Sequence, residues 1–138
     1  MAEQRFARSI DRVPDVFRFA EDQMLAGNID ESVRFPVHLA MEELFVNLVT
    51  YNPSASRDIK IEVSVADNTV IVTITDHDAA EFDVTIDPKV DTEVPLSDRK
   101  PGGLGLHLIQ SMADTLEYDY RDGRSRIRFS KEQAADDV

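Results

Sequence analysis

The stretch from Ser32 to Asn52 constrains this chain most. Val37, Leu39, Ala40, Met41, Leu44, Phe45, Val46, Leu48 and Val49 crowd nearly all sides of one predicted helix. A helix that is apolar nearly all round is stable in water only when other elements surround it. The chain has no run of about 18 apolar residues, so the helix is not read as a membrane span. It is the expected centre of a single core. With 138 residues the chain has the length of one domain and buries roughly two-thirds of its unfolded surface. It contains no cysteine, so no disulfide or thiolate staple is available, and a reducing compartment is the natural setting. Met1 to Arg5 lack the apolar stretch of a signal peptide. The expectation is a cytoplasmic protein, one domain over 1–138.

The other elements arrange themselves around that helix. Gln4 to Ile10 suit a short strand, and Pro14 fits the first turn of a helix. Val13, Val16, Phe17, Phe19, Ala20, Met24 and Leu25 form that helix's apolar stripe, and Gly27-Asn28 end it. Asp30 or Ser32 can cap the central helix. Pro36 predicts that its regular part starts only there, and Asn52-Pro53 that it stops. Ile59-Ile61-Val63-Val65 and Val70-Val72-Ile74 alternate on either side of Ala66-Asp67-Asn68-Thr69, the pattern of a β-hairpin. Residues 76–101 are acidic, carry Pro88, Pro95 and Pro101, and read as a long loop. Leu104, Leu106, Leu108, Ile109 and Met112 then recur at helical spacing. Thr115 to Tyr120 and Arg126 to Phe129 enclose Asp122-Gly123, a second hairpin. From Glu132 onward the tail is expected to fray. Phe6 and Phe19 are the apolar residues expected to serve a homodimer.

The charge balance narrows the partners. With 27 acidic and 15 basic residues the net charge is −12, which repels a polyanion over most of the surface. Neither nucleic acid nor a membrane is an expected partner. A basic protein surface, or a nucleotide whose phosphates are bridged by Mg²⁺, remains compatible.

Three segments carry chemistry. Glu43 and Asn47 lie four apart, on one face of the central helix, and both are polar in apolar surroundings. A carboxylate and an amide oxygen are hard ligands suited to Mg²⁺ and to orienting water, although the pair also suits a solvent-facing helix edge. Asp76 ends a strand, where α/β sheets place ligand-binding groups and where turn aspartates also occur. Gly102-Gly103-Leu104-Gly105 open a helix. Free backbone N–H groups at such a start face an anion and no Cβ obstructs it, though glycines serve tight turns there too. No Lys-Ser/Thr pair follows, so this is not a Walker loop. His38 and Glu42 share a helix face, but no third metal ligand is evident.

Taken in order, Glu43-Leu-Phe-Val-Asn47, Asp76 after a strand, and Arg99-Lys-Pro-Gly-Gly-Leu-Gly-Leu-His-Leu-Ile109 resemble the motif boxes of the GHKL ATPase superfamily. Within it the chain is most similar to the bacterial anti-sigma-factor serine kinases. The resemblance implies a Bergerat-type, histidine kinase-like α/β (α+β) two-layer sandwich, with a mixed, mostly antiparallel sheet and about three helices on one face. It implies ATP and Mg²⁺ as cofactors. Glu43 would activate the attacking hydroxyl, Asn47 would hold Mg²⁺ through the nucleotide, and Asp76 would bind adenine. Gly102, Gly103, Leu104, Gly105 and Leu106 would border the phosphates, and residues 80–101 would form an ATP lid. The implied partners are a sigma factor and a STAS-type anti-sigma-factor antagonist, phosphorylated on serine in a partner-switching circuit that regulates transcription.

Two positions depart from the family pattern. Asp78 stands where a glycine follows the adenine-binding aspartate, and Arg128 stands where a last-strand threonine is matched. Counting back from Phe82 would select His77 instead of Asp76, but a strand end fixes its residue better than a loop does. These departures set a second expectation beside the kinase: a non-catalytic, partner-binding module of the same fold. A detached histidine-kinase catalytic domain is set aside, as no dimerisation helix with a phosphoacceptor histidine precedes the domain.

Overall fold

The computed structural model describes residues 1–51, 57–77 and 109–134. In chain order it comprises strand β1 (Ala2–Phe6), a 3-10 turn (Ile10–Arg12), helices α1 (Val13–Ala26) and α2 (Glu31–Tyr51), and strands β2 (Ile59–Ala66), β3 (Thr69–Asp76), β4 (Thr115–Arg121) and β5 (Arg124–Glu132). The sheet order is β1-β2-β3-β5-β4, and all four pairings are antiparallel. The mostly antiparallel sandwich expected from the sequence is the observed architecture. Residues 109–112 form a helical turn, and Ala113 N–H donates to the Ile109 carbonyl at 2.9 Å. The rest of the expected third helix lies outside the described residues.

Alternation along the strands decides which face is covered. Ile59, Ile61 and Val63 pair in register with Asp76, Ile74 and Val72, and Ile127 and Phe129 continue the same two rows. All are buried, together with Val37, Ala40, Met41, Leu44 and Phe45 of α2 and Val16, Ala20 and Met24 of α1. Both helices therefore lie on this one face of the sheet and pack against each other, α1 over β1 and β2 and α2 beside it towards β5. Its one exposed apolar stripe is Phe35 and Leu39, four residues apart.

Both hairpins turn where their residues tolerate a left-handed backbone. Asp67 and Asn68 have φ of 52° and 63°, and Asp122 and Gly123 have 52° and 81°, the pattern of tight hairpin turns. Asn28 does the same after α1, at φ 59°.

Three expectations are corrected. Helix α2 starts at Glu31, ahead of Pro36, which it carries in its second turn. Burial of Val33 and Val37 on either side of the proline holds the chain helical and outweighs the one backbone bond that proline cannot donate. Phe6 is not the exposed residue expected: it is 2% exposed, and its ring packs edge-on against half-buried Phe19 at 5.8 Å. Among the described residues the exposed large apolar side chains are instead Met1, Ile10, Phe17, Leu25, Phe35 and Leu39. Glu132 belongs to β5, and beyond it the Gln133 side chain accepts from Asp30 N–H at 2.5 Å at the start of α2.

Gly27 ends α1 with a φ of −91°, which any residue can adopt. Its role is proximity: a Cβ there would stand 2.5 Å from Val65 Cγ1 and 2.8 Å from Val65 Cβ. Replacing glycine by alanine at a compatible φ ordinarily stabilises by about 0.4–1 kcal/mol, whereas forced overpacking costs about 1–3 kcal/mol. The clash is with a strand side chain at its root, so the second effect wins. Gly27→Ala is expected to lower the urea midpoint, and adding Val65→Ala should restore most of the loss.

Candidate functional site

Glu43 and Asn47 face the interior side of α2. Asn47 is only 5% exposed, and its amide nitrogen is buried. Glu43, one turn earlier, is half-buried. Burial pushes its carboxyl above the 4.5 of an ordinary glutamate, the Glu42 charge pushes it the same way, and the Asn47 amide opposes them. A carboxyl raised in this way is a better proton acceptor near neutral pH.

Asp76 is the last residue of β3 and is fully buried. Its cross-strand neighbours are Ile59 on one side and Ser125 on the other, so it faces the helices. Both of its carboxylate oxygens are held by Arg8: Nη1 donates to Oδ2 at 3.1 Å, and Nη2 donates to Oδ1. Arg8 Nη1 also donates to the carbonyl of Leu48 at 3.2 Å, the residue next to Asn47. A single guanidinium thus joins the segment after β1, the last turns of α2 and the end of β3. Sequence reasoning did not single out Arg8, and no motif marks it. It is one of 15 basic residues, brought to Asp76 across 68 positions of chain.

The structure revises the role of Arg128. In register it lies between Thr73 and Glu117, on the sheet face turned away from the helices, and it is exposed. It does not enter the side of the sheet that Asp76 faces. The hydroxyl-bearing β5 residue on that side is Ser125, 3% exposed and directly opposite Asp76. Counting in twos back from the buried Phe129 would have found it.

His38 and Glu42 do not form a metal site. His38 Nε2 meets Glu21 Oε2 at 2.8 Å, and its ring stacks on Phe17 at 3.9 Å. Among the described residues no cluster of three metal-ligating side chains occurs, and no helix is long and apolar enough to cross a membrane. The expected phosphate segment Gly102 to Leu106, Asp78 and the lid 80–101 lie outside the described residues.

Known proteins place this geometry. The family model described as the histidine kinase-like ATPase domain matches residues 6–131. Among solved structures, a chain of the SiaB–SiaC complex from Pseudomonas aeruginosa superposes with a TM-score of 0.68, at 12% identity, over 94% of this chain and 88% of that one. The histidine kinase AdeS of Acinetobacter baumannii matches over 96% of this chain and 68% of that one, at 17% identity and a TM-score of 0.49. At such identities the first likeness shows the fold alone, and the second adds no weight. No curated protein sequence matches the chain.

Proposed function

The chain belongs to the histidine kinase-like ATPase domain family, and from that premise we propose that it is an ATP-binding anti-sigma regulatory factor that phosphorylates a serine on a small antagonist protein. The observation that carries the reading is the buried Asn47 amide, 5% exposed, on the same helix face as Glu43. It sits one helical turn from a carboxyl held above its ordinary range. These residues fit a nucleotide with its cation: the Asn47 amide oxygen is a hard ligand for Mg²⁺, and Asp76 and Ser125 offer an acceptor and a hydroxyl to a base.

When bound, Mg-ATP would supply the phosphoryl group. Glu43 would take the proton of the attacking serine hydroxyl as it becomes a nucleophile. Asn47 would hold the cation, and the glycine-rich segment from Gly102 to Gly105 would offer backbone N–H groups to the phosphates. Phosphoryl transfer asks a protein mainly for such positioning and charge neutralisation. A partner-binding role is supported by the similar chain solved in a two-protein complex, and by exposed Ile10, Phe17 and Phe35, which leave apolar surface for a protein to cover. The sigma factor, the STAS-type antagonist, transcriptional control and a cytoplasmic site of action are parts of the same proposal.

Calorimetric titration with Mg-ATP tests it. Heat of binding is expected from the wild type, with affinity at least tenfold weaker in Asn47→Ala, about 1.4 kcal/mol or more. Incubation with candidate antagonists should then transfer phosphate to serine. One observation favours a second reading, a partner-binding module without catalysis: the Asp76 carboxylate is already engaged by Arg8. No heat at millimolar Mg-ATP from the folded wild type, nor from folded protein with Arg8 replaced, would leave that module as the function.

A further inference from the structure

We infer that Arg8 is an internal competitor of the nucleotide base, so that base binding at Asp76 requires the Arg8 guanidinium to withdraw. The inference rests on the nucleotide reading above and concerns the regulation of that same site.

Arg8 and Asp76 form a fork-to-carboxylate pair in which two guanidinium nitrogens meet the two carboxylate oxygens. Both side chains are out of solvent, at 5% and 0% exposure. A base amino group approaching Asp76 is a neutral donor offering one hydrogen bond to an oxygen that already has a cationic one. Charge-assisted, bidentate pairs are roughly twice as strong as neutral ones, so a base alone does not displace Arg8. The contacts that offset the displacement have to come from elsewhere in the ligand, which makes phosphate and cation binding a precondition for base binding.

The engaged state is not saturated. Arg8 Nε is buried without a hydrogen-bond partner among the described residues, an unmet donor that favours release. Release also has consequences beyond the site. Arg8 is the link from the segment after β1 to the Leu48 carbonyl and to Asp76. Two residues later the chain reaches Ile10, and then Phe17 on the first turns of α1, both exposed and apolar. Withdrawing the guanidinium frees the segment that positions this apolar surface. Base occupancy and the presentation of that surface to a protein partner are thereby coupled.

If the competent state is populated only when Arg8 is withdrawn, the apparent affinity is reduced by that fraction. Removing the competitor should restore it. Arg8→Gln is therefore expected to bind Mg-ATP at least tenfold more tightly than the wild type in calorimetry, with folding checked by circular dichroism. Arg8→Lys, which keeps the charge but loses the fork, should fall between them. Because either variant can be destabilised, the wild type provides an independent readout. Its Arg8 guanidinium protons, protected from exchange in the free protein, should become exchangeable on saturation with Mg-ATP when followed by ¹⁵N NMR.

Tighter binding by Arg8→Gln supports the competition, including the case where the wild type gives no heat. Equal or weaker binding by folded Arg8→Gln, with wild-type Arg8 protons still protected at saturation, overturns it and leaves nucleotide binding intact. No heat from the wild type or from either folded variant overturns the nucleotide reading itself, and the competition with it.

Discussion

Asp76→Ala should lose about 3 to 5 kcal/mol of folding free energy, the usual cost of leaving one member of a buried ion pair without its partner. The orphan is the Arg8 guanidinium, whose side chain is 5% exposed and whose remaining bond among the described residues would be to the Leu48 carbonyl. Domains of this kind are stable by about 5–15 kcal/mol in total, so a large part of the margin goes. Arg8→Met should also be damaging for the opposite reason, since it takes the cation away from a fully buried carboxylate. The double variant Arg8→Met/Asp76→Leu should be far less destabilised than the sum of the singles, because replacing both charges by apolar groups is often neutral or better. Urea denaturation of the four proteins closes the cycle. Additive losses would show that the pair is not coupled and that each residue is held by other contacts.

The second large effect falls on catalysis. Glu43→Gln is expected to lower phosphoryl transfer to an antagonist by about 10²–10⁴-fold, the usual contribution of a positioned general base, with Mg-ATP affinity changed by only a few-fold. Transfer by the wild type should rise with pH as the Glu43 carboxyl loses its proton, and the variant should lack that rise. The sign for stability is the reverse. A carboxyl whose folded value is raised favours the folded state while protonated. Its contribution is full below the ordinary 4.5 and is lost as pH climbs through the raised value. Glu43→Gln, neutral at every pH, should therefore hold its stability relative to the wild type better at neutral than at acid pH. Urea midpoints at the two conditions measure this, and equal shifts at both would remove the burial argument for a base.

Much of the fold was legible because it is written in local periodicity. The alternation through Ile59-Val65 and Val70-Ile74, and the residues at Asp67-Asn68 and Asp122-Gly123, specify hairpins without reference to anything distant. The centrality of α2 followed from its apolar residues, and the structure buries eight of its described side chains. Pro36 misled because a local rule about backbone donors was overruled by packing on both sides of it. Phe6 and Phe19 misled because exposure is a property of what lies opposite, and each lies opposite the other.

The same division runs through the site. Glu43 and Asn47 were legible because four residues of helix place two side chains on one face, and Asp76 because a strand end is a fixed point. Arg128 was misassigned because position in a motif was counted without the two-residue alternation that sets it on the outer face and Ser125 on the inner one. The sequence by itself determined the elements, their order, the family and the candidates Glu43, Asn47 and Asp76, since each depends on near neighbours along the chain. Only the tertiary structure decided what stands against Asp76. A guanidinium 68 residues away is brought there by the pairing of β1 with β2 and of β2 with β3, and no local pattern records that contact.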